Sequence, residues 1–257
     1  MNTAEKNQQI KKALNEQGVC LLPALLSENE IESFRQEVVR LWENQQERVP
    51  QNLRLGLRID EQGNTVLDRM DPVEDISKVL YQLNRHKKIL DIVGNVFGEP
   101  ALVMKEKLIF KRPGTQGFSV HRDDPYFCIS GVPGEKILSI AIALDAARKE
   151  NGNIEFFPSL THKTVAADKN EARDLDRKAL GNNKVFSPEL KVGDAVLYNA
   201  LIPHQSGINT GSASRRTYII SYVPASYPDA RKKYYEIRYQ QQQQERQGKF
   251  KGPFFVQ

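Results

Sequence analysis

Three side chains of ligand type are spaced so that one metal ion could bring them together. His121 and Asp123 lie two residues apart in residues 118–123, FSVHRD, which end a predicted β-strand. Positions i and i+2 of a strand face the same side of a sheet, so both side chains can reach one ion. His204, on a distant predicted strand, would complete a 2-His-1-carboxylate set, which is the ligand set of non-heme Fe(II) oxygenases.

Two adjacent arginines follow His204 on the next predicted strand. Arg215 and Arg216 open residues 215–222, RRTYIISY. A guanidinium binds a carboxylate bidentately and stays charged when it is buried. This property suits a site that needs both a metal and a dicarboxylate cosubstrate. Strand alternation turns only one of the two side chains inward, and the residues alone leave both as candidates.

The other two histidines are expected to have structural roles. His86 lies at a predicted helix start among Arg85, Lys87 and Lys88, which indicates the protein surface. His162 follows a turn in residues 158–163, PSLTHK, where it is expected to fix a loop by a hydrogen bond.

The composition indicates one large globular domain. The chain has 257 residues, of which 39% are hydrophobic and 27% charged, and a formal net charge of +5. No segment is apolar for long enough to predict a membrane span, and the first twelve residues lack the apolar region of a secretory signal. Cys20 and Cys128 match no zinc spacing, so a reducing, cytoplasmic location is expected. The basic residues do not interleave with aromatics, which argues against nucleic acid and leaves an anionic substrate as one explanation of the positive charge.

Helices are predicted mainly in the first hundred residues. The first ends at Gly18, and the second begins at Ser27, whose capping box with Glu30 precedes an apolar stripe from Ile31 to Trp42. The predicted helices are 4–17, the one begun at Ser27, 76–83, 86–97, and one after Pro228 that runs to about residue 247.

Strands are predicted after the helices. They are 19–22, 101–110, 118–121, 136–146, 154–157, 192–198 and 216–223. Residues 45–75 are expected to be irregular, with turns at Gly56 and Gly63, and residues 160–183 to form a weakly helical covering loop. The order of helices followed by seven or eight strands predicts an α+β chain with a mainly β core, an antiparallel barrel or jelly roll buttressed by helices.

We expect a single domain over residues 1–257. Within it, residues 1–100 would give mostly helical support, 101–225 the jelly-roll core, and 226–257 a C-terminal helix and tail. The glutamine run 240–244 is expected to be a solvated face of that helix.

Several of these segments resemble the phytanoyl-CoA dioxygenase family of Fe(II)/2-oxoglutarate oxygenases. They are residues 107–114 (KLIFKRPG), 121–123 (HRD), 142–145 (IALD), 150–158 (ENGNIEFFP) and 190–222, and they run in the family's order. Arg215 lies eleven residues after His204, where the family's cosubstrate arginine usually lies. The resemblance covers most of the chain, and the first hundred residues match only loosely.

The resemblance implies a double-stranded β-helix, the cupin-like jelly roll, with Fe(II) bound by His121, Asp123 and His204. It favours Arg215 over Arg216 as the residue that binds the distal carboxylate of 2-oxoglutarate. The other residues that it places at the cosubstrate are Ser206, Phe118 and Lys107, although Lys107 could equally be an ordinary surface lysine.

The implied reaction consumes 2-oxoglutarate and O2, releases succinate and CO2, and hydroxylates a carbon of a small molecule. Related halogenases have Gly or Ala at the position of Asp123, so the carboxylate argues against halogenation. Desaturation, epoxidation and cyclisation use the same cofactors and stay open. Two other classes are a non-catalytic jelly-roll binding protein and a zinc hydrolase on the same three ligands.

The substrate is not defined by the sequence. Tyr126 and Phe127 follow the metal motif, and three arginines lie in the stretch where this family builds its substrate wall. If those arginines line the pocket, the substrate is anionic; surface charge is an equal alternative. An amino acid, a natural-product intermediate and a thioester all fit, and the chain could be a monomer or a homodimer. The three arginines are Arg54, Arg58 and Arg69.

Overall fold

The computed structural model describes residues 3–46, 54–60, 62–158, 184–244 and 255–256. In these ranges the helices are α1 (Thr3–Gln17), α2 (Glu28–Gln46), α3 (Lys78–Asn84), α4 (Lys87–Phe97), α5 (Asp124–Phe127) and α6 (Ala230–Gln244). The strands are β1 (Val19–Leu22), β2 (Leu55–Ile59), β3 (Thr65–Met70), β4 (Ala101–Lys111), β5 (Phe118–His121), β6 (Leu138–Ala143), β7 (Ile154–Phe156), β8 (Ala195–Asn199), β9 (His204–Ser206), β10 (Arg215–Pro224) and β11 (Phe255–Val256).

The strands form two antiparallel sheets. The larger sheet has the strand order β1-β8-β6-β10-β4-β3-β2-β11, and the smaller has the order β5-β9-β7. Consecutive strands of the chain alternate between the two sheets along β5 to β9, which is the winding of a jelly roll. The predicted mainly β core with helical support is therefore confirmed.

Helices cover one face of the larger sheet. The predicted stripe on α2 is buried at Ile31, Phe34, Val38 and Leu41, and it belongs to the same apolar cluster as the outward side chains of β6 and β10. The predicted capping box at the start of α2 is present, because Glu30 accepts a hydrogen bond from the Ser27 backbone N–H at 2.7 Å. Burial of these apolar side chains against the sheet fixes where the site-bearing strands lie.

The other face of the larger sheet looks toward the smaller sheet. A second apolar cluster lies between them and joins Ala141 and Ala143 of β6 to Tyr198 of β8 and Phe156 of β7. The two alanines are small, so they leave room between the sheets for longer side chains. β6 is buried at every position, as expected of a strand covered on both faces.

The stretch 45–75 is not irregular as predicted, because part of it is a β-hairpin. β2 pairs with β3, and β3 pairs with β4 at the side of the larger sheet. Asp60 caps the turn by accepting from the backbone N–H groups of Gln62 and Asn64 at 3.0 and 2.7 Å. A register shift between Gly56 and Leu57 interrupts the alternation of apolar residues, so the strand pattern was hidden in the sequence.

Most other boundaries differ from the predicted ones by a few residues. The predicted strand 136–146 is shorter, at Leu138–Ala143, and the predicted strand 101–110 continues to Lys111. The predicted covering loop at 160–183 lies outside the described residues. Among the helices that the structure describes, none combines the length and apolarity needed to cross a membrane.

Candidate metal centre and cosubstrate site

The three predicted ligands meet between the two sheets. His121 and His204 are direct cross-strand partners on β5 and β9, and the centroids of their rings are 4.4 Å apart. One ligand atom from each of His121, Asp123 and His204 lies within 4.8 Å of the others. This spacing brings two imidazole nitrogens and a carboxylate oxygen to one point.

Asp123 reaches this point by a bend rather than by strand alternation. β5 ends at His121, and Asp123 stands immediately before the short helix α5. The backbone N–H groups of Asp123 and Asp124 both donate to the carbonyl oxygen of Ala200, at 3.1 and 3.0 Å. The loop that leads to His204 therefore holds the carboxylate in place, and the predicted proximity is right for a different reason.

The hydrogen bonds of the two histidines aim their free nitrogens at the centre. Nδ1 of His121 bonds the carbonyl oxygen of Ser119 at 2.7 Å, and Nδ1 of His204 bonds that of Ile202 at 3.0 Å. A carbonyl accepts only, so each Nδ1 carries the proton and each Nε2 keeps its lone pair. Such a bond to the second ring nitrogen is the usual support of a metal-bound histidine.

The protonation states also suit a cation. Burial lowers the pKa of His121 to about 3 and lowers that of His204, so both rings are neutral. Burial alone would raise the pKa of Asp123, but the nearby His204 and Lys107 outweigh it and lower the pKa. The Oδ2 atom of Asp123 is buried and has no hydrogen-bond partner among the described residues. Two neutral imidazoles and an ionised carboxylate with one unpartnered oxygen form the donor set that a divalent metal requires.

A pair of buried cations lies at one end of this centre. Arg215 on β10 stands directly opposite Lys111 on β4, and the two side chains are 3% and 1% exposed. Lys111 Nζ donates to the Ser206 hydroxyl at 2.8 Å, and an Arg215 terminal nitrogen donates to the Thr217 hydroxyl at 2.7 Å. Ser206 also pairs across the small sheet with Phe118. The structure thus brings three of the predicted cosubstrate residues, Arg215, Ser206 and Phe118, into one neighbourhood.

Arg216 points to the other face of the sheet. Its guanidinium forms two hydrogen bonds with the Asp145 carboxylate, each 2.7 Å long, and its backbone N–H forms a third at 2.8 Å. Arg215 follows the inward alternation of Thr217 and Ile219 instead. Of the two adjacent arginines, only Arg215 faces the space between the sheets.

Comparison with known proteins decides the family. The phytanoyl-CoA dioxygenase family matches residues 14–217, which is most of the chain. The protein belongs to the phytanoyl-CoA dioxygenase family. It is accordingly a 2-oxoglutarate-dependent non-heme iron dioxygenase that uses O2.

Two curated relatives are similar over much of this dioxygenase. A methylphosphonate hydroxylase of Gimesia maris is 29% identical over 245 residues, which span 91% of this chain and 87% of the relative. A 2-aminoethylphosphonate dioxygenase of uncultured bacterium HF130_AEPn_1 is 30% identical over 181 residues, 68% of this chain and 65% of the relative.

Solved structures share the fold at low sequence identity. EctD from S. alaskensis, solved with 2-oxoglutarate and 5-hydroxyectoine, superposes with a TM-score of 0.74 at 17% identity, over 88% of this chain and 77% of that one. The epimerase SnoN from nogalamycin biosynthesis gives 0.72 at 19% identity, over 86% and 84%.

Two residues of the dioxygenase that touch the predicted site were not singled out from the sequence. Lys111 is one, and its only sequence signal was a position on the inward face of β4, shared with Lys107. Tyr198 is the other: its ring centroid is 5.2 Å from that of His204. Burial and the Asp123 charge raise the pKa of Tyr198 well above 10, so the phenol stays protonated.

Gly152 makes room for Lys111. A Cβ atom at this glycine would lie 2.7 Å from the Cε atom of Lys111 and 2.4 Å from the carbonyl oxygen of Gly207, and the residue has a φ of +68°. Any other residue here would push against the backbone after β9 and against the lysine.

The predicted substrate residues have different surroundings. Tyr126 meets the ring of His121 edge-on, with centroids 6.2 Å apart. Phe127 is buried against Tyr234 of α6.

The three predicted substrate arginines also differ. Arg69 stands opposite Ile109 of β4, on the inward-facing side, whereas Arg54 forms an ion pair with Asp75 at 2.8 Å. Arg58 belongs to β2, and its side chain lies outside the described part.

Lys107 and Lys105 lie beyond Asp123, at the end of the centre away from Lys111. Burial lowers the pKa of Lys107 to about 8, against the opposing field of Asp123. Burial would also lower the pKa of Lys105, but its ion pair with Asp71 outweighs burial and raises that pKa. The two neighbouring lysines therefore differ, because only Lys105 has a carboxylate of its own.

The remaining histidines are separate from the centre where the structure describes them. His86 contacts Glu30 of α2 through its Nε2 atom at 3.0 Å, in the helical layer. His162 lies outside the described residues, and its predicted loop-fixing role stays a prediction.

Proposed function

We propose that this dioxygenase hydroxylates a carbon of a small organophosphonate, with release of succinate and CO2. The observation that carries the proposal is the triad of His121, Asp123 and His204, in which a buried oxygen of Asp123 has no partner among the described residues. Two relatives support the substrate class, since both are named for phosphonates and one is named a hydroxylase. An anionic substrate also agrees with the cations that surround the triad.

In this proposal His121, Asp123 and His204 hold the iron. Arg215, Ser206 and Lys111 would bind the distal carboxylate of 2-oxoglutarate, because a guanidinium, an ammonium and a hydroxyl together offer several donors to its two oxygens. When bound, the iron supplies the coupling of 2-oxoglutarate decarboxylation by O2 to oxidation of a substrate carbon.

The groups around the triad would orient the metal ligands and exclude water from the site. The carbonyl oxygens of Ser119 and Ile202 hold the two histidines in the tautomer that presents Nε2. Phe156 and Tyr198 pack against the ring of His204, with centroid distances of 5.8 and 5.2 Å. This wall of aromatic rings would exclude water. Exclusion of water would strengthen the electrostatic contacts to 2-oxoglutarate and to the phosphonate substrate. A carboxylate at position 123 favours hydroxylation over halogenation.

The first experiment tests the cofactor set and then the substrate. Anaerobic protein loaded with Fe(II) should develop a weak visible charge-transfer band when 2-oxoglutarate is added. In air, methylphosphonate and 2-aminoethylphosphonate should each stimulate succinate formation, and phosphorus NMR with mass spectrometry should find a product that has gained one oxygen.

The matched controls are acetate and β-alanine, in which a carboxylate replaces the phosphonate of the two test compounds. Stimulation by these acids and not by the phosphonates would refute the phosphonate assignment. A product that has lost two hydrogens would replace hydroxylation by desaturation. Absence of both band and succinate would instead support a non-catalytic jelly-roll protein.

A further inference from the structure

Three lysines share the inward face of β4. Lys105, Lys107 and Lys111 are spaced by multiples of two, so their side chains point to the same side of the sheet, toward the triad. A strand that places three cations in the space between two sheets needs anions to match them, since an isolated buried charge is costly.

Two of these lysines have partners within the protein. Lys105 forms an ion pair with Asp71, and the other oxygen of Asp71 accepts from the Tyr235 hydroxyl at 3.0 Å. Lys111 donates to the Ser206 hydroxyl at 2.8 Å. Lys107 makes no hydrogen bond and no ion pair with any residue that the structure describes.

Lys107 nevertheless lies deep in the protein, beside the metal ligands. It stands opposite Ile219 in the middle of the β4–β10 ladder, and protein atoms surround its side chain while part of its surface stays accessible. Because part of Lys107 is accessible, its ammonium group can meet a ligand that enters between the two sheets.

The charges around Lys107 leave it without a counter-ion once the metal site is filled. The acidic groups whose fields reach it are Asp123 and Asp71, and the basic ones are Lys105 and Arg69. Asp71 is already paired with Lys105, and Asp123 would be taken up by the divalent cation. An anion from outside the protein is what this arrangement lacks.

That anion is not the distal carboxylate of 2-oxoglutarate. Lys107 and Lys111 are four residues apart on an extended strand, so their Cα atoms are about 13 Å apart. Ile109 fills the inward position between them. Lys111 lies at the Ser206 end of the triad with Arg215, whereas Lys107 lies at the Asp123 end, so the two lysines serve different ligands.

We infer that Lys107 binds the anionic group of the substrate, while Lys111 and Arg215 bind the cosubstrate. This inference rests on the proposed function, in which that group is a phosphonate. An ammonium carries three donors and is a compact charge, which suits the three oxygens of a phosphonate. The sequence resemblance predicted that Lys107 binds the cosubstrate. This inference assigns Lys107 to the substrate instead.

The test compares Lys107→Met with Lys111→Met in two binding measurements under anaerobic conditions. Calorimetric titration of methylphosphonate into the Fe(II) protein, saturated with 2-oxoglutarate, reports the substrate. The charge-transfer band reports 2-oxoglutarate. We expect Lys107→Met to raise the Kd of methylphosphonate about tenfold or more and to leave that of 2-oxoglutarate within about twofold. Lys111→Met should do the reverse.

The outcomes separate this inference from the proposed function. Wild-type protein that neither binds nor hydroxylates any phosphonate overturns the proposed function. Wild-type protein that binds methylphosphonate, with a Lys107→Met variant that binds it equally well, overturns only the assignment of Lys107. A Lys107→Met variant that loses 2-oxoglutarate instead returns Lys107 to the cosubstrate. If the methionine variant does not fold, Lys107→Gln carries the same comparison.

Discussion

Lys111 and Arg215 stand directly opposite each other on β4 and β10, and almost nothing of either side chain is exposed. Like charges in opposed positions of a sheet destabilise it. The Ser206 hydroxyl accepts a hydrogen bond from Lys111, and the Thr217 hydroxyl accepts one from Arg215. The carboxylates of Asp145 and Asp68 also favour the charged form of Arg215. Two adjacent cations can bind the same anion, and the proposed function assigns them to the distal carboxylate of the cosubstrate.

Replacement of Lys111 by Met should weaken the binding of 2-oxoglutarate without unfolding the protein. The ligand would lose a charged donor, so we expect its Kd to rise about tenfold. Because a ligand stabilises the folded state according to its concentration relative to Kd, the rise in Tm on adding 2-oxoglutarate should shrink. A thermal shift equal to that of the wild type would show that Lys111 does not contact the cosubstrate.

Asp123→Ala should remove metal binding and abolish substrate-dependent succinate formation. The variant loses the one carboxylate of the triad, but it also loses a buried oxygen that has no partner in the described structure. We therefore expect the Tm of the metal-free protein to stay equal or rise, while the gain in Tm with metal disappears. Asp124→Asn is the matched control, because Asp124 pairs with Arg122 at 2.6 Å instead of facing the centre. Unchanged turnover in Asp123→Ala would remove this residue from the metal.

Replacing Arg215 should weaken 2-oxoglutarate binding, whereas replacing Arg216 should lower the stability of the fold. Arg215→Met should lose most of the affinity for 2-oxoglutarate. Arg216→Met should keep that affinity but lower the free energy of unfolding by about 2 kcal/mol, since it breaks charged hydrogen bonds to the half-buried Asp145. Denaturant titration and the charge-transfer band measure the two quantities, and an exchange of the two phenotypes would reverse the assignment.

Asn84 should be important for stability although it lies far from the metal. Its side chain accepts from the Tyr218 hydroxyl at 2.9 Å and donates to Glu74 at 2.7 Å, all in the interior. Asn84→Ala leaves both partners short of a hydrogen bond, so we expect a loss of about 2–4 kcal/mol in urea unfolding. The exposed Asn95→Ala should change stability by less than about 0.5 kcal/mol. Equal effects of the two variants would contradict the role of Asn84.

The start of α2 should contribute a pH-dependent term to stability. Hydrogen bonds from Ser27 lower the pKa of Glu30 to about 2 from its ordinary 4.5. A lowered folded-state pKa adds stability above pH 4.5, and that contribution is lost as the pH falls from 4.5 through 2. Glu30→Ala should therefore cost about 1 kcal/mol at neutral pH and progressively less in acid. A difference from the wild type that is constant from pH 7 to about pH 2 would argue against the cap.

Local patterns were enough to predict much of the fold. Gly18 ends α1 with a φ of +72°, and the capping box of Ser27 and Glu30 starts α2, because both signals act within one helical turn. The hairpin of β2 and β3 was missed, since a register shift and the polar pair Asp68 and Arg69 break its apolar alternation. Side chains that face a polar site do not follow the hydrophobic period that predicts strands.

The sequence by itself determined the ligand types. Residue type and spacing alone identify His121, Asp123, His204 and an arginine that follows them. Tertiary structure alone decided which residues stand beside them, because strand register sets distances between positions far apart in the chain. In the fold Arg215 points inward, and Arg216 forms hydrogen bonds with Asp145 on the other face. Lys111 lies beside Ser206, whereas Lys107 lies beside Asp123. Neighbouring residues of the same type thus acquire different partners, since a strand alternates its faces and each face meets a different environment.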